Sequence, residues 1–291
     1  MSLIENALEK LRKSGEGAAE AVASARLTPT VVAAKAPVIL APASDEGLKR
    51  ITVDMESLRS AGYLPELGLE RRFADHYRQV KRPLIEKALS SGADMRILLV
   101  TSALPGDGKT FTSINLALSM ARERDISVLL VDADGPRARV SEVFNLKGAR
   151  GLLDALADES IDVESLVVRT DVRGLEILPA GRFIENATEM LASARMSQIA
   201  TRIAARNPRR LVLFDSAPLL ASSEARVLTR IPGQIVLVVR AGITPKQAVV
   251  DAVALLDKQK LQGLVVNQAR FSPGDGYYGY GDEGEQKTDA D

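Results

Sequence analysis

The stretch Ile97–Thr110 reads ILLVTSALPGDGKT and organises the rest of the chain. A run of branched apolar residues leads into a glycine-rich turn, then Gly-Lys-Thr, then a helical pattern, which predicts a strand, a phosphate-binding loop and a helix. Glycines let backbone N–H groups approach phosphate oxygens, while the helix N-terminus and the lysine add positive charge. The predicted nucleotide contacts are Pro105, Gly106, Asp107, Gly108, Lys109, Thr110 and Phe111.

From Arg96 onward, apolar runs alternate with helical patterns as far as Asn267. Continuous apolar strands are buried on both faces, and their alternation with helices implies right-handed crossovers. The pattern therefore predicts an α/β fold with a mostly parallel central sheet flanked by helices.

Composition excludes several classes of protein. The 291 residues include 38 Lys plus Arg and 38 Asp plus Glu, so the chain has no net positive charge that would favour nucleic acid binding. The absence of cysteine excludes disulfides and thiolate metal sites. The first 13 residues contain Glu5 and Glu9, unlike a signal peptide, and the apolar run Val31–Ala43 is too interrupted to span a bilayer. We expect a soluble, cytoplasmic protein.

The chain divides into four predicted segments. Residues 1–13 form an amphipathic helix, for which docking on its own domain and docking on a partner are both open interpretations. Residues 14–66 are expected to be a flexible linker, with a short strand or extended segment near Ile51–Met55. The nucleotide-binding domain covers 67–271, and its first helix, Leu67–Arg82, ends at Pro83 or is followed there by another helix. Residues 272–291 form a mobile acidic tail.

Two further apolar strands end in acids, at Asp132-Ala-Asp134 and at Asp215. Ligands collect at the carboxyl ends of parallel strands, so these acids should meet the phosphate-binding loop. Thr110, Asp134 and Asp215 are a sensible oxygen set for Mg²⁺. Asp132 and Asp134 share one side of an extended strand, so both should face the phosphate chain, one serving the metal and the other an attacking hydroxyl. The alternative is that each of these acids only caps a helix or forms a turn.

The tail contains a candidate hydroxyl. Three of the five tyrosines of the chain lie in a glycine-rich, acidic context, and they are Tyr277, Tyr278 and Tyr280. A tail that does nothing or makes a nonspecific aromatic contact is the alternative. Next to a nucleotide site, we interpret the segment as a phosphoacceptor.

These motifs resemble the bacterial tyrosine kinases of polysaccharide export, P-loop ATPases with a three-layer α/β architecture of the deviant-Walker, MinD-like type. The resemblance covers roughly residues 67–291. Four segments also resemble the subgroup associated with exosortase (PEP-CTERM, XrtA) exopolysaccharide loci: MSLIENALEKLRK, RQVKRPL, LPAGRFIENATEMLASARM and DSAPLLASSEARV.

The resemblance implies ATP and Mg²⁺ as cofactors and roles for matching residues. Lys109 would contact the terminal phosphates and Asp132 would activate the incoming tyrosine hydroxyl. Asp134 and Asp215 would support the metal, and Asn267 would contact the adenine. It also implies autophosphorylation in trans within a ring-shaped homo-oligomer. A membrane chain-length-determinant (polysaccharide co-polymerase) protein would be the activator, with no role for nucleic acid.

The sequence departs from the family in the helix before the loop. The Glu-x-x-Arg-x-x-Arg pattern used for ring assembly is replaced by Asp75, Arg78 and Lys81, and lysine lacks the bidentate contacts of arginine. The rival interpretation is a nucleotide-gated assembly ATPase of the partitioning or division-site (MinD/ParA-like) class without kinase activity. Those ATPases carry a second lysine where this loop has Leu104.

Overall fold

The computed structural model describes residues 49–182 and 184–269. In this part of the chain, eight strands form one sheet. The strands are β1 (Arg50–Ile51), β2 (Ile97–Ser102), β3 (Ser127–Ala133), β4 (Val168–Thr170), β5 (Leu175–Leu178), β6 (Arg210–Ser216), β7 (Gln234–Arg240) and β8 (Leu261–Asn267).

The helices of the same residues are α1 (Met55–Ser60), α2 (Glu70–Ser90), α3 (Lys109–Ala121), α4 (Arg139–Val143), α5 (Leu152–Ala157), α6 (Ala187–Leu191), α7 (Ala194–Ala205), α8 (Ser223–Leu228) and α9 (Lys246–Ala254). Two 3₁₀ turns cover Ala93–Arg96 and Val163–Leu166.

The sheet order is β1-β4-β5-β3-β6-β2-β7-β8, and every neighbouring pair is parallel except β4 with β5. Alternate residues of β2 point into different cores, with Leu99 in one and Leu98 in the other. Burial on both faces explains why these strands are continuously apolar. The prediction of a mostly parallel sheet between helices is confirmed.

The sheet order brings the acids together. β6 lies between β2 and β3, so the three strands that end in the predicted motifs are neighbours. In the β3–β6 register Asp132 is opposite Asp215, and Val100 of β2 is opposite Asp215 on the other side. Parallel pairing therefore places the loop after β2 beside both acids.

The expected linker at 14–66 is wrong for the described residues 49–66, which belong to the fold. β1 pairs with β4, with Arg50 opposite Arg169. Asp54 caps α1, because its Oδ1 accepts a hydrogen bond from Ser57 N at 2.9 Å, and Leu58 is buried. The folded region begins by residue 49 because strand pairing and burial outweigh a composition that is polar and rich in turn residues. Residues 1–13, 14–48 and 272–291 lie outside the described residues.

The expected helix boundary at Pro83 is also wrong. α2 continues through Pro83 to Ser90, although proline removes one helical hydrogen bond. Its buried residues lie on one stripe and are Tyr77, Lys81, Leu84 and Ala88. Packing of this stripe offsets the cost of the proline. Later in the chain α6 and α7 are separate helices, because the Ser193 hydroxyl caps the start of α7 by accepting a hydrogen bond from Met196 N at 3.4 Å.

Candidate active site

The loop between β2 and α3 is closed by the side chain of Asp107. One carboxylate oxygen accepts a hydrogen bond from Leu104 N at 2.9 Å. The other accepts one from the Thr244 hydroxyl at 2.7 Å. Asp107 is 3 % exposed. Its carboxylate therefore shapes the loop, and a nucleotide contact from Asp107 stays a prediction.

Two loop glycines adopt the left-handed backbone that glycine tolerates, Gly106 with φ 88° and Gly108 with φ 96°. Asn267, at the end of β8, donates a hydrogen bond from Nδ2 to the Asp107 carbonyl oxygen at 3.0 Å. A Cβ added to Gly108 would lie 1.9 Å from that nitrogen. Asn267 is thus beside the loop, while its predicted contact with adenine stays a prediction.

Lys109 starts α3 and forms a buried ion pair with Asp134. Its Nζ atom lies 2.7 Å from the Asp134 carboxylate. Burial would lower the pKa of Lys109, but the charges of Asp215 and Asp134 outweigh that effect and raise the pKa. The lysine is therefore held as a cation at the carboxyl end of β3.

Asp215 accepts two hydroxyl hydrogen bonds from α3. The Thr110 Oγ1 donates to one carboxylate oxygen at 2.7 Å and the Ser113 Oγ to the other at 2.8 Å. Asp215 is 0 % exposed, and this burial raises the pKa of its carboxyl despite the nearby Lys109 charge. The predicted metal-binding hydroxyl and carboxylate are therefore in direct contact.

Asp132 contacts different partners from Asp134. Its Oδ2 accepts hydrogen bonds from both the backbone N–H and the hydroxyl of Ser141, each at 2.7 Å. Burial raises the pKa of Asp132 to about 7. The two carboxylates of this strand end are therefore held by separate elements, Asp134 by Lys109 of α3 and Asp132 by Ser141 of α4.

Phe111 packs against the helix before the loop. Its ring makes an edge-to-face contact with Phe73 of α2, with centroids 6.1 Å apart and planes at 78°. This ring therefore stabilises the α2–α3 contact. A nucleotide contact from Phe111 stays a prediction.

Lys81 is not a free surface residue of α2. Its Nζ donates to the Ser119 carbonyl oxygen at 2.7 Å and pairs with Glu123 at 2.7 Å. Asp75 and Arg78, which are half-exposed, pair with each other one turn apart. Of the three residues aligned with the ring-assembly pattern, Lys81 is thus committed to contacts within its own chain.

The sequence analysis did not predict four residues that lie near the site. Ser113 lies one turn after Lys109, so helical periodicity would have found it. Ser141 and Thr244 carry no local signal, since their contacts join distant parts of the chain. Tyr63 lies beside α3, because its carbonyl oxygen accepts a hydrogen bond from Asn115 Nδ2 at 2.7 Å, and burial raises the pKa of its phenol.

The described residues include no group of three or more His, Cys, Asp or Glu side chains arranged to hold a metal ion. Within the same part of the chain, no helix combines the length and apolar character needed to cross a bilayer.

Comparison with known sequences finds one matching domain family and several relatives named tyrosine-protein kinases. Residues 95–253 match the AAA domain family. Tyrosine-protein kinase YwqD of Bacillus subtilis is 34% identical over 218 residues, covering 74% of this chain and 90% of that protein. Tyrosine-protein kinase etk of Escherichia coli K12 is 31% identical over 173 residues, covering 59% of this chain and 23% of that protein. The chain therefore spans about a quarter of the longer relative.

Solved structures of tyrosine kinase domains have a fold similar to that of this chain. The BceF tyrosine kinase domain superposes with a TM-score of 0.60 at 27% identity, covering 76% of this chain and 91% of that one. The kinase domain of Escherichia coli tyrosine kinase ETK superposes with a TM-score of 0.57 at 29% identity, covering 66% of this chain and 75% of that one. Family match, sequence identity and fold together show that this chain belongs to the AAA domain family and to the bacterial tyrosine kinases.

Proposed function

We propose that this chain is an ATP-dependent protein-tyrosine autokinase that phosphorylates the C-terminal tyrosines of a second copy. The acceptors are Tyr277, Tyr278 and Tyr280, which lie outside the described residues. The observation that carries the proposal is the β3–β6 register, which sets Asp132 opposite Asp215 beside Lys109 and Thr110. The identity with a relative named tyrosine-protein kinase over 90% of that relative supports the same activity.

The donors at this edge of the sheet fit a magnesium ion. Mg²⁺ prefers oxygen ligands and keeps several waters. The Thr110 hydroxyl lies 2.7 Å from the Asp215 carboxylate, and the Asp134 carboxylate is also buried here. We propose that Thr110, Asp134 and Asp215 hold the metal, partly through water. When bound, the metal neutralises charge on the phosphate oxygens.

Lys109 and Asp132 have separate proposed roles in the transfer. The Lys109 ammonium exchanges its contact with Asp134 for the terminal phosphates of ATP. The Asp132 carboxylate accepts the proton of the tyrosine hydroxyl as the phenolic oxygen bonds to the γ-phosphorus. The bond between that phosphorus and the β,γ-bridging oxygen breaks, and ADP leaves with the electron pair. A pKa near 7 suits a group that must take up and release a proton at neutral pH.

The test of the proposal is phosphotyrosine formation by the purified full chain with labelled ATP and magnesium, together with the cytoplasmic segment of its membrane partner. Wild type should label. Lys109→Met should not, because the phosphate contact is lost, and a variant with Tyr277, Tyr278 and Tyr280 all changed to Phe should not, because the acceptors are gone. A wild type that binds and hydrolyses ATP without forming phosphotyrosine would refute the kinase and match a nucleotide-gated assembly ATPase.

We further propose that copies assemble into a ring on the cytoplasmic face of the membrane, activated by a chain-length-determinant partner in exopolysaccharide export, consistent with the exosortase-associated subgroup. Of the residues aligned with the ring-assembly pattern, Asp75 and Arg78 are half-exposed and pair with each other, and we propose that they form the subunit contact. Each phosphotyrosine adds about −1.5 to −2 charges to an acidic tail. Phosphorylation should therefore give a smaller assembly by light scattering, and an unchanged mass would contradict this model.

A further inference from the structure

Ser141 fixes the carboxylate of Asp132 from one side. Its backbone N–H and its hydroxyl both donate to the same oxygen, Oδ2, at 2.7 Å. The other oxygen accepts a longer hydrogen bond, from Asp134 N at 3.3 Å. The two short bonds to Asp132 therefore both come from Ser141, which is itself buried.

The Ser141 hydroxyl is in turn fixed by a loop from another strand. Its oxygen accepts a hydrogen bond from Ala180 N at 2.9 Å. Ala180 belongs to the segment Pro179–Arg182, which directly follows β5, the neighbour of β3 in the sheet. Since Oγ donates to Asp132 and accepts from Ala180, its rotamer is determined at both ends.

The segment Pro179–Arg182 is held tightly against the start of α5. The Pro179 and Ala180 carbonyl oxygens accept hydrogen bonds from Leu152 N and Leu153 N, each at 2.9 Å. The Asp154 carboxylate accepts hydrogen bonds from the segment at Arg182, from the backbone N–H at 3.1 Å and from Nε at 2.7 Å.

There is also no spare space around the segment. A Cβ on Gly181, whose φ is +92°, would lie 2.6 Å from Asp154 Oδ2. A Cβ on Gly151 would lie 2.0 Å from the Pro179 carbonyl oxygen. The segment therefore offers Ser141 a rigid backbone donor.

We propose that Ser141 is a positioning residue. Its hydroxyl is held by the backbone of the segment Pro179–Arg182 and orients the Asp132 carboxylate toward the tyrosine hydroxyl. The inference rests on the proposed function, because it assigns Asp132 the proton of the acceptor. The competing explanation is that Asp132 merely caps α4. A cap affects stability, whereas a positioning contact affects turnover at constant nucleotide affinity.

The experiment compares four variants of the full chain. Ser141→Ala removes the bridging hydroxyl, and Ser141→Thr retains it. Gly181→Ala displaces the segment without touching Ser141 or Asp132. Ser222→Ala is the matched control, since Ser222 Oγ accepts a capping bond from Ala225 N at 3.2 Å at the start of α8. The measurements are kcat for phosphotyrosine formation, KM for ATP, affinity for Mg-ADP and thermal unfolding.

We expect Ser141→Ala to lower kcat by about tenfold or more, because a misplaced base loses most of its effect, with KM and Mg-ADP affinity within about threefold. Ser141→Thr should recover part of that loss, Gly181→Ala should lower kcat in the same way, and Ser222→Ala should keep wild-type kcat. Wild-type turnover in Ser141→Ala, or a parallel loss of nucleotide affinity, would overturn the inference. Should Ser141→Ala fail to fold, wild-type kcat in a folded Gly181→Ala would overturn it. A wild type that forms no phosphotyrosine would instead refute the proposed function.

Discussion

Lys109 and Asp134 form a buried ion pair at the carboxyl end of β3, with Nζ 2.7 Å from the carboxylate and side chains 9 % and 2 % exposed. The phosphate-binding loop and the acid after β3 are thereby joined in the fold itself. In the proposed function, a triphosphate bound at the loop would compete with Asp134 for this ammonium. The lysine would then contribute both to stability and to nucleotide affinity, and the two contributions can be measured separately.

Lys109→Met should abolish nucleotide binding and lower the free energy of unfolding by about 3 kcal/mol, because it leaves a buried carboxylate without its cation. Urea unfolding and nucleotide titration measure the two effects. Lys109→Met combined with Asp134→Asn should recover most of the stability but none of the binding. The exposed Lys258→Met serves as the control, and a single variant as stable as wild type would contradict the paired role.

Thr110→Val should raise the Mg²⁺ concentration needed for half-maximal activity by about tenfold or more, because a metal ligand and the bond to Asp215 are lost together. Thr110→Ser keeps the hydroxyl and should stay near wild type. Thr229→Val is the matched control, since the Thr229 hydroxyl bonds the Arg226 carbonyl oxygen at 2.7 Å on a different helix. An unchanged Mg²⁺ requirement in Thr110→Val would remove Thr110 from the metal site.

The raised pKa of Asp132 predicts how activity depends on pH. The proposed base must be ionised, and its pKa is about 7 because it is buried. The tyrosine kinase activity should therefore rise about tenfold between pH 6 and pH 8. Initial rates of phosphotyrosine formation at saturating Mg-ATP measure this rise, and a rate that falls over the same range would contradict the assignment.

Stability should show the opposite trend from the same group. Between the unfolded pKa, near 3.8, and the folded pKa, about 7, the folded state holds the Asp132 proton more tightly than the unfolded state does. Raising the pH through this window therefore lowers the free energy of unfolding. Asp132→Asn removes this titration, so wild type should lose stability relative to the variant between pH 5 and pH 8 in urea unfolding. If the unfolding free energies of wild type and Asp132→Asn changed equally with pH, Asp132 would not be a buried acid that titrates in this window.

Gly108→Ala should eliminate nucleotide binding, because a Cβ would meet Asn267 Nδ2 at 1.9 Å in a left-handed backbone. Gly242→Ala is the matched control, with φ +68° and nothing within 4 Å of the added Cβ. The control should lose only about 1 kcal/mol of unfolding free energy, from backbone strain, and keep its affinity. Equal nucleotide affinities in the two variants would show that the contact with Asn267 does not shape the loop.

The strands and the loop were predictable because their signals are local. Each apolar strand is a short run, and its acid or glycine turn follows within a few residues. Helix boundaries were less predictable, since Pro83 is a strong local signal that packing of Leu84 and Ala88 overrides. Residues 49–66 resemble a linker because their strand has only two residues and its partner, β4, lies more than one hundred residues away.

Spacing along the chain was enough to predict the α/β class, the phosphate-binding loop and the acids at the strand ends. Which atoms those residues contact depends on the folded chain. Sheet order made Asp132 and Asp215 neighbours, and burial raised the pKa of both. Chain segments far apart in sequence supplied Ser141 to Asp132 through Ala180 and Thr244 to Asp107. Such contacts depend on how the chain returns to the same edge of the sheet, which residue spacing does not encode.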